Sequence, residues 1–424
     1  MKRRRNVLIG AALVAGAVAL NGILNASQQG TAQAPAFQVD PLWPKPLPNH
    51  WILGSVTGVR VDSKDHIWLV HRGADSLAAR MENGLGTNPP TAEFCCRPAP
   101  FVLEFDPGGN LVSNWGGPGE GYDWPRSPGG MAIDGAGNVW IAAAGVAETP
   151  GGGRGRGSTL REPQGRPEPG RGTTGSGQAA TAPAAPRPQD AHVLKFSRAG
   201  KFLLQIGKPG KTDGSNSETA LNRPLALDVD FAANEVYVAD GLINLRVVVF
   251  DATTGAYKRH WGAYGQKPDD ASIGPYDAKA EPAKQFRTVS CVRLAKDGTV
   301  YVCDRQNNRI QAFKKDGAFV KEGFVSKTTL GDGAVWDLAF SNDAQQRYIY
   351  VADGQDQKVF VVRRDTLEVV SSFGGGGRYP GYFFGVGSIA VDSKGTVYTG
   401  ETYEGKRLQR FVSKGMGPVR GGSR

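Results

Sequence analysis

Val300-Tyr-Val-Cys-Asp-Arg-Gln-Asn-Asn-Arg-Ile-Gln-Ala-Phe313 decides the fold. A β-branched and aromatic run ends on an acid, a polar bend follows, and a second run closes on Phe313. That is the pattern of two short antiparallel strands. Its first half recurs as Ile67-Trp-Leu-Val-His-Arg72, Val139-Trp-Ile-Ala-Ala-Ala144, Val236-Tyr-Val-Ala-Asp-Gly241, Ile349-Tyr-Val-Ala-Asp-Gly354 and Val397-Tyr-Thr-Gly-Glu-Thr402. Strand-like runs such as Gly130-Met-Ala-Ile-Asp134 precede the copies, often across Asp-Gly, Gly-Asn or Lys-Gly turns. A third strand follows each copy, as in Val247-Val-Val-Phe250, and a fourth often ends in aromatic-Gly, as in Trp261-Gly262. Four short strands repeated six times cannot bury both faces alone, but radial stacking of the sheets can. The sequence therefore predicts an all-β, six-bladed β-propeller of four-stranded antiparallel blades. The last repeat has only three clear strands, so Phe37-Gln-Val39 is expected to close the ring from the N-terminal side.

Composition agrees. Of 424 residues 59 are glycine, 40% are hydrophobic and 21% charged, which suits a turn-rich chain with a packed core. The net charge is +10, but Lys2, Arg3, Arg4 and Arg5 precede the apolar run Val7–Leu20. The remaining +6 is too dilute to imply nucleic acid. No later run of eighteen apolar residues occurs, which excludes a polytopic membrane protein. The basic-then-apolar start has the form of an export signal over residues 1–34, cleaved after Ala34 or Ala26, or kept as an uncleaved anchor. Arg4-Arg5 leaves the twin-arginine and general routes both open. The body is expected in the periplasm or outside the cell, with membrane contact only through such an anchor.

Repeat spacing locates two insertions. The second-strand aromatic lies twelve or thirteen residues before the end of the third strand in the last four repeats. Trp68 lies 37 before Phe105, and Trp140 lies 56 before Phe196. Both extra segments fall between second and third strands. Residues 73–99 contain Leu77, Met81, Phe94, Cys95 and Cys96 and are expected to be partly ordered. Residues 148–190 hold ten Gly, seven Pro and no aromatic residue, so a disordered loop is expected. One propeller domain is thus predicted over residues 37–415, with a flexible tail at 416–424.

The stretch at 300–313 resembles the NHL repeat, whose copies build six-bladed propellers. The order of blades resembles the peptidyl-α-hydroxyglycine α-amidating lyase and its bacterial relatives, carried by Val56–Ser63 with His71-Arg72-Gly73, by Asp240–Arg246 and by Asp304–Gln311. The resemblance implies two assisting arginines at Arg72 and Arg305. It also implies three zinc histidines at the inner ends of first strands, where this chain has Gly129, Ser290 and Gly387, and a tyrosine where it has Leu242. The zinc-centred chemistry does not carry over.

Aligned without reference to any family, the repeats place Thr57, Gly129, Leu225, Ser290, Trp336 and Gly387 around the channel mouth. None is an imidazole or carboxylate able to hold a catalytic zinc. The fourth-to-first and second-to-third loops share that face, so Arg72, Arg305 and both insertions lie there. Two arginines at positions where other blades have small residues suit a carboxylate or phosphate. The bland alternative is that each pairs with a neighbouring acid. One position earlier stand His71, Asp240, Asp304, Asp353 and Glu401, where strand-end acids ordinarily bind the following turn. Glu401 and His71 are the least routine of these. Cys291 and Cys303 face one another across a hairpin, while Cys95 and Cys96 lie in the first insertion. Disulfides joining the insertion to the fourth blade, Cys291–Cys303 with a Cys95–Cys96 link, and a soft-metal thiolate site all fit the spacing.

The function read from sequence is therefore an exported propeller that binds a small anionic ligand or peptide. Its binding residues are Arg72, Arg305, Trp336, Leu225 and Ser290, with no cofactor. Arg72, Arg305, Glu401 and His71 are the candidates should it be an enzyme. The alternatives are a divergent lyase-like or other metal-dependent enzyme with replacement ligands, and a scaffold for a partner protein.

Overall fold

The structure is a computed structural model, and it describes residues 33–78, 81–145 and 188–419. Six four-stranded antiparallel sheets form the blades of the propeller. Blade 1 uses Val56–Val61, Ile67–His71, Val102–Phe105 and Leu111–Trp115, and blade 2 Pro128–Ile133, Val139–Ala143, His192–Phe196 and Phe202–Gly207. Blades 3, 4 and 5 begin at Ala226–Asp230, Val289–Leu294 and Asp337–Phe340, and each runs through four consecutive strands. Blade 6 takes Val386–Val391, Val397–Glu401 and Leu408–Pro418, then Gln33–Asp40 as its outer strand. The N-terminal closure is as the repeat count requires. The pairing is longer than three residues, however: Gln33, Ala34 and Pro35 sit opposite Pro418, Gly417 and Met416, so part of the expected tail is strand.

Burial on both faces of each sheet explains the second-strand wording. Val300 and Val302 point into the cluster shared with blade 3, while Tyr301 and Cys303 point into the one shared with blade 5. Side chains alternate across a strand, so a sheet held between two neighbours must be apolar at every position. One buried cluster lies at each of the six blade–blade boundaries. The lower hairpins share a lock. The Asp62, Asp134 and Asp392 carboxylates accept from Trp68 Nε1 (3.1 Å), Trp140 Nε1 (3.2 Å) and Tyr398 Oη (3.1 Å).

Both insertions separate second from third strands, as the spacing predicts. The described part of 73–99 is ordered: Gly73–Ser76 forms a 3-10 turn, and Arg97–Pro98 pairs in parallel with Trp51–Ile52. Residues 1–32, 146–187 and 420–424, which carry the export signal, most of the long insertion and the chain end, lie outside the described residues. Among the described residues no helix is long and apolar enough to cross a membrane.

Candidate functional site at the channel mouth

First strands descend from the mouth and second strands return to it, so residues just after a second strand stand on the rim. Arg72 follows Ile67–His71, and its amide donates to Ser55 O (3.0 Å). Arg305 follows Val300–Asp304, and its amide donates to Thr288 O (2.9 Å). The Arg305 guanidinium carbon lies 4.6 Å from the Trp336 ring centroid. Gly333 makes this stacking possible: its backbone is left-handed (φ +76°), and a Cβ there would strike the Arg305 carbonyl. Its own carbonyl accepts from Trp336 Nε1 (2.7 Å), fixing the indole beneath the guanidinium.

Two further residues join them. Arg223 precedes the inner strand of blade 3, and its Nε donates to Ala144 O (2.9 Å). Tyr403 lies in the blade 6 rim loop, with its hydroxyl 3.2 Å from Asp332 and its ring edge-on to Trp336 at 5.9 Å. Ser55 ties the first blade to the last by donating its hydroxyl to Tyr403 O (2.9 Å). Arg223 and Tyr403 are both left-handed, at φ 57° and 48°. Bulky residues seldom adopt that conformation, and such strain gathers at sites where geometry matters.

The electrostatics set this place apart. Arg72 Nε, Arg223 Nη2 and Arg305 Nε are buried and have no hydrogen-bond partner. Among the described residues none of the three guanidinium groups forms an ion pair with a carboxylate. Burial lowers the pKa of all three, and for Arg223 the charge of Arg72 adds to it, bringing it to about 10. Burial raises the Tyr403 phenol and Asp332 adds to this, while Arg305 and Arg72 pull it down. Arg72 and Arg305 thus act on one phenol from the side opposed by Asp332, and Arg223 lies within the field of Arg72. An anion would relieve all three.

The other residues singled out from the sequence are engaged elsewhere. His71 Nδ1 accepts from the Gly54 and Gly73 amides (3.0 Å each), its Nε2 bonds to Pro100 O (2.8 Å), and burial brings its pKa to about 4. It is a neutral loop anchor. Glu401 accepts from Arg407 Nε (2.6 Å), Gln409 Nε2 (2.8 Å) and the Phe384 amide (2.8 Å). Asp240 and Asp304 are fully buried and paired with Arg246 (2.9 Å) and Arg309 (2.8 Å). Asp353 departs from this pattern: its Oδ2 has no partner, and burial raises it to about 8. Ser290 donates to Val335 O (2.9 Å), while Leu225 stays half-buried on the ring. Trp336 is buried, with one ring face under Arg305 and Tyr403 at its edge, so it orients the arginine.

The cysteines form Cys95–Cys96 and Cys291–Cys303. Cys291 and Cys303 are cross-strand partners in blade 4, so register decides the pairing. The first insertion is therefore not bonded to blade 4. Its hold on the rim is polar: Glu82 meets Lys406 at 2.6 Å, three residues from Tyr403, and Ser76 Oγ accepts from the Ser55 amide (2.9 Å).

Below the mouth, Arg60 of blade 1 reaches Asp337 of blade 5 (3.3 Å), and Arg293 of blade 4 meets the same carboxylate (2.6 Å). Non-adjacent blades can touch only across the channel, so this cluster lies within it. Asp62, His66 and Glu104, whose ligand atoms are close enough together to hold a metal ion, lie at the opposite face. Arg198 fills it, with Nη1 2.7 Å from Asp62 and Nη2 bonded to Glu104. A guanidinium already supplies the positive charge there.

No family model matches the chain. Among solved structures it is similar to a selenomethionine-substituted virginiamycin B lyase from Staphylococcus aureus, at 11% identity over 91% of this chain and 89% of that one, with a TM-score of 0.45. A streptogramin B lyase is similar at 8% identity over 90% and 98% of the two chains, with a TM-score of 0.46. The propeller assignment rests on this chain's own strand pairing, and neither likeness bears on its chemistry.

Proposed function

We propose that the protein binds an anionic ligand, a carboxylate or phosphate carried by a small molecule or a peptide, at the channel mouth through Arg72, Arg223 and Arg305. The observation that carries this reading is three guanidinium groups, each with a buried and unpartnered nitrogen and none in an ion pair, although Asp332 and Asp190 act on Arg305 and Arg223 from a distance. A buried charge left unpaired costs several kcal/mol, roughly, and is rarely kept without a partner. Tyr403 adds a hydroxyl to the same site, and Trp336 holds Arg305 in place. The Arg60–Asp337–Arg293 cluster lies below the site in the channel.

The resemblance to NHL repeats and the amidating lyase belongs to this proposal, as does export, which the N-terminal sequence and two disulfides favour. A metal enzyme with replacement ligands has less support. His71 and Glu401 spend their polar atoms on backbone and neighbours, and the four cysteines bond to one another.

Calorimetric titration with inorganic phosphate and with succinate is the test. Saturable binding of one of them, weakened tenfold or more in Arg72→Gln and Arg305→Gln, is expected. Equal binding by wild type and both variants would refute the reading.

A further inference from the structure

The chain between Trp261 and Val289 occupies residues 262–288, more than twice the length of the links at 116–127, 325–336 and 374–385. Its one regular element is the short turn Ala263–Gly265. Long links without regular structure are uncommon in compact domains and are usually functional. This one is pinned at its end and near its middle. The Arg287 amide donates to Asp304 (2.9 Å), Arg309 Nη2 and Asn307 Nδ2 both donate to Gln285 O (3.0 and 3.2 Å), and Tyr276 Oη donates to Lys327 O (2.6 Å). Beneath the arch is a cavity of about 350 Å³, within the size range of small-molecule sites.

The lining is divided by chemistry. Ile273, Pro275, Tyr276 and Phe324 give apolar walls, while Lys284, Arg287 and Lys327 bring three cations. Among the described residues none of the three forms an ion pair with a carboxylate. Lys284 Nζ and Lys327 Nζ lie over aromatic rings instead, at 4.8 Å from Tyr264 and 5.1 Å from Phe324. Arg287 Nε is held by Asn307 Oδ1 (3.1 Å) and Nη1 by Gly274 O, leaving Nη2 free. The Asp277 and Glu281 side chains also line the cavity but are exposed, and the Asp277 carboxylate accepts from the Lys279 amide (2.8 Å). The fourth cation, Arg309, is spent on Asp304 and Glu322.

We infer that this cavity is a second ligand site, separate from the mouth, for a small amphipathic anion. An aromatic or aliphatic body lies against Tyr276 and Phe324, and a carboxylate or sulfonate head faces Arg287 between the two lysines. The site does not depend on the mouth reading, since it shares no residue with it.

The probe is 1-anilinonaphthalene-8-sulfonate, an aromatic sulfonate, followed by fluorescence on the folded full chain, with the neutral N-phenyl-1-naphthylamine as comparison. One saturable site is expected. Its affinity should fall about tenfold in Lys284→Gln/Lys327→Gln, whose exposed side chains make no hydrogen bond or ion pair, and at least as far in Arg287→Gln. Arg72→Gln/Arg305→Gln should leave it unchanged. The inference is overturned if no saturable site appears, if the lysine pair has no effect, if the neutral amine binds as tightly, or if the mouth variant is the one that abolishes binding.

Discussion

Arginines on the rim side of this propeller are buried in two different ways. In blades 3 and 4, Arg246 and Arg309 are wholly enclosed, each paired with an equally enclosed aspartate and bonded to carbonyls of the preceding loop. Around the mouth, Arg223 and Arg305 are buried and Arg72 half-buried, yet each keeps a buried nitrogen without a partner. The same residue type thus closes a blade in one region and holds an open site in the other. The difference is what remains unsatisfied. A finished network contributes to stability, whereas an unfinished one lowers stability until something binds.

That contrast is open to attack by mutation. The largest effect is expected from breaking a finished pair. Arg309→Met leaves Asp304 charged and buried, and should cost about 3–5 kcal/mol in chemical denaturation. Arg305→Met at the mouth should cost far less, because its buried charge has no ion-pair partner and only Asp332 at a distance to offset it. Similar losses from both would erase the distinction.

Next in size is ligand affinity. Arg72→Gln, Arg223→Gln and Arg305→Gln should each weaken the anion by about 1.5–3 kcal/mol, the range of a charge-assisted hydrogen bond. Arg246→Gln, if folded, should show no such selective effect in the same calorimetric titration.

A pH effect concerns Asp353, an acid in the ring with Asp240 and Asp304 but lacking their buried arginine. Its folded pKa of about 8 lies above the ordinary aspartate value, so folding favours the protonated form. The stability it contributes is fully present below about pH 4 and is lost as pH rises through about 8. Between pH 5 and 9 this should amount to a loss of about 4 kcal/mol, absent in Asp353→Asn. Thermal melts across that range, comparing the two proteins, decide it. A wild-type profile that tracks the variant would mean that Asp353 has a partner in solution.

The architecture was legible in the sequence because repetition exposes it. Six aromatic second strands and one missing outer strand leave only a ring closed from the N-terminal side. Arg72 and Arg305 were legible as well, since each occupies a repeat position where other blades have small residues. Arg223 and Tyr403 were not. One lies before Pro224 in a link between blades, and the other stands one position past Thr402, where the other repeats have Gly73, Gly145, Leu242, Gln306 and Gln355 and no shared residue type draws the eye. They reach Arg72 and Arg305 only through the rotation from blade to blade, which no linear spacing encodes. What Trp336 touches was hidden for a related reason. Its place on the ring was visible, but not the guanidinium already stacked on it. The cysteine alternatives needed register: Cys291 opposite Cys303 leaves Cys95 and Cys96 to each other.

The central claim is that the mouth is an unfinished cation site awaiting an anion. A crystal of the wild-type protein soaked in sodium bromide tests it most directly, because anomalous scattering locates the halide without assuming a physiological ligand. The account predicts a bromide peak among the guanidinium groups of Arg72, Arg223 and Arg305, near the Tyr403 hydroxyl, and its loss in Arg72→Gln/Arg305→Gln. Bromide absent from the mouth while occupying other sites, or arginines turned outward onto acidic neighbours, would contradict it.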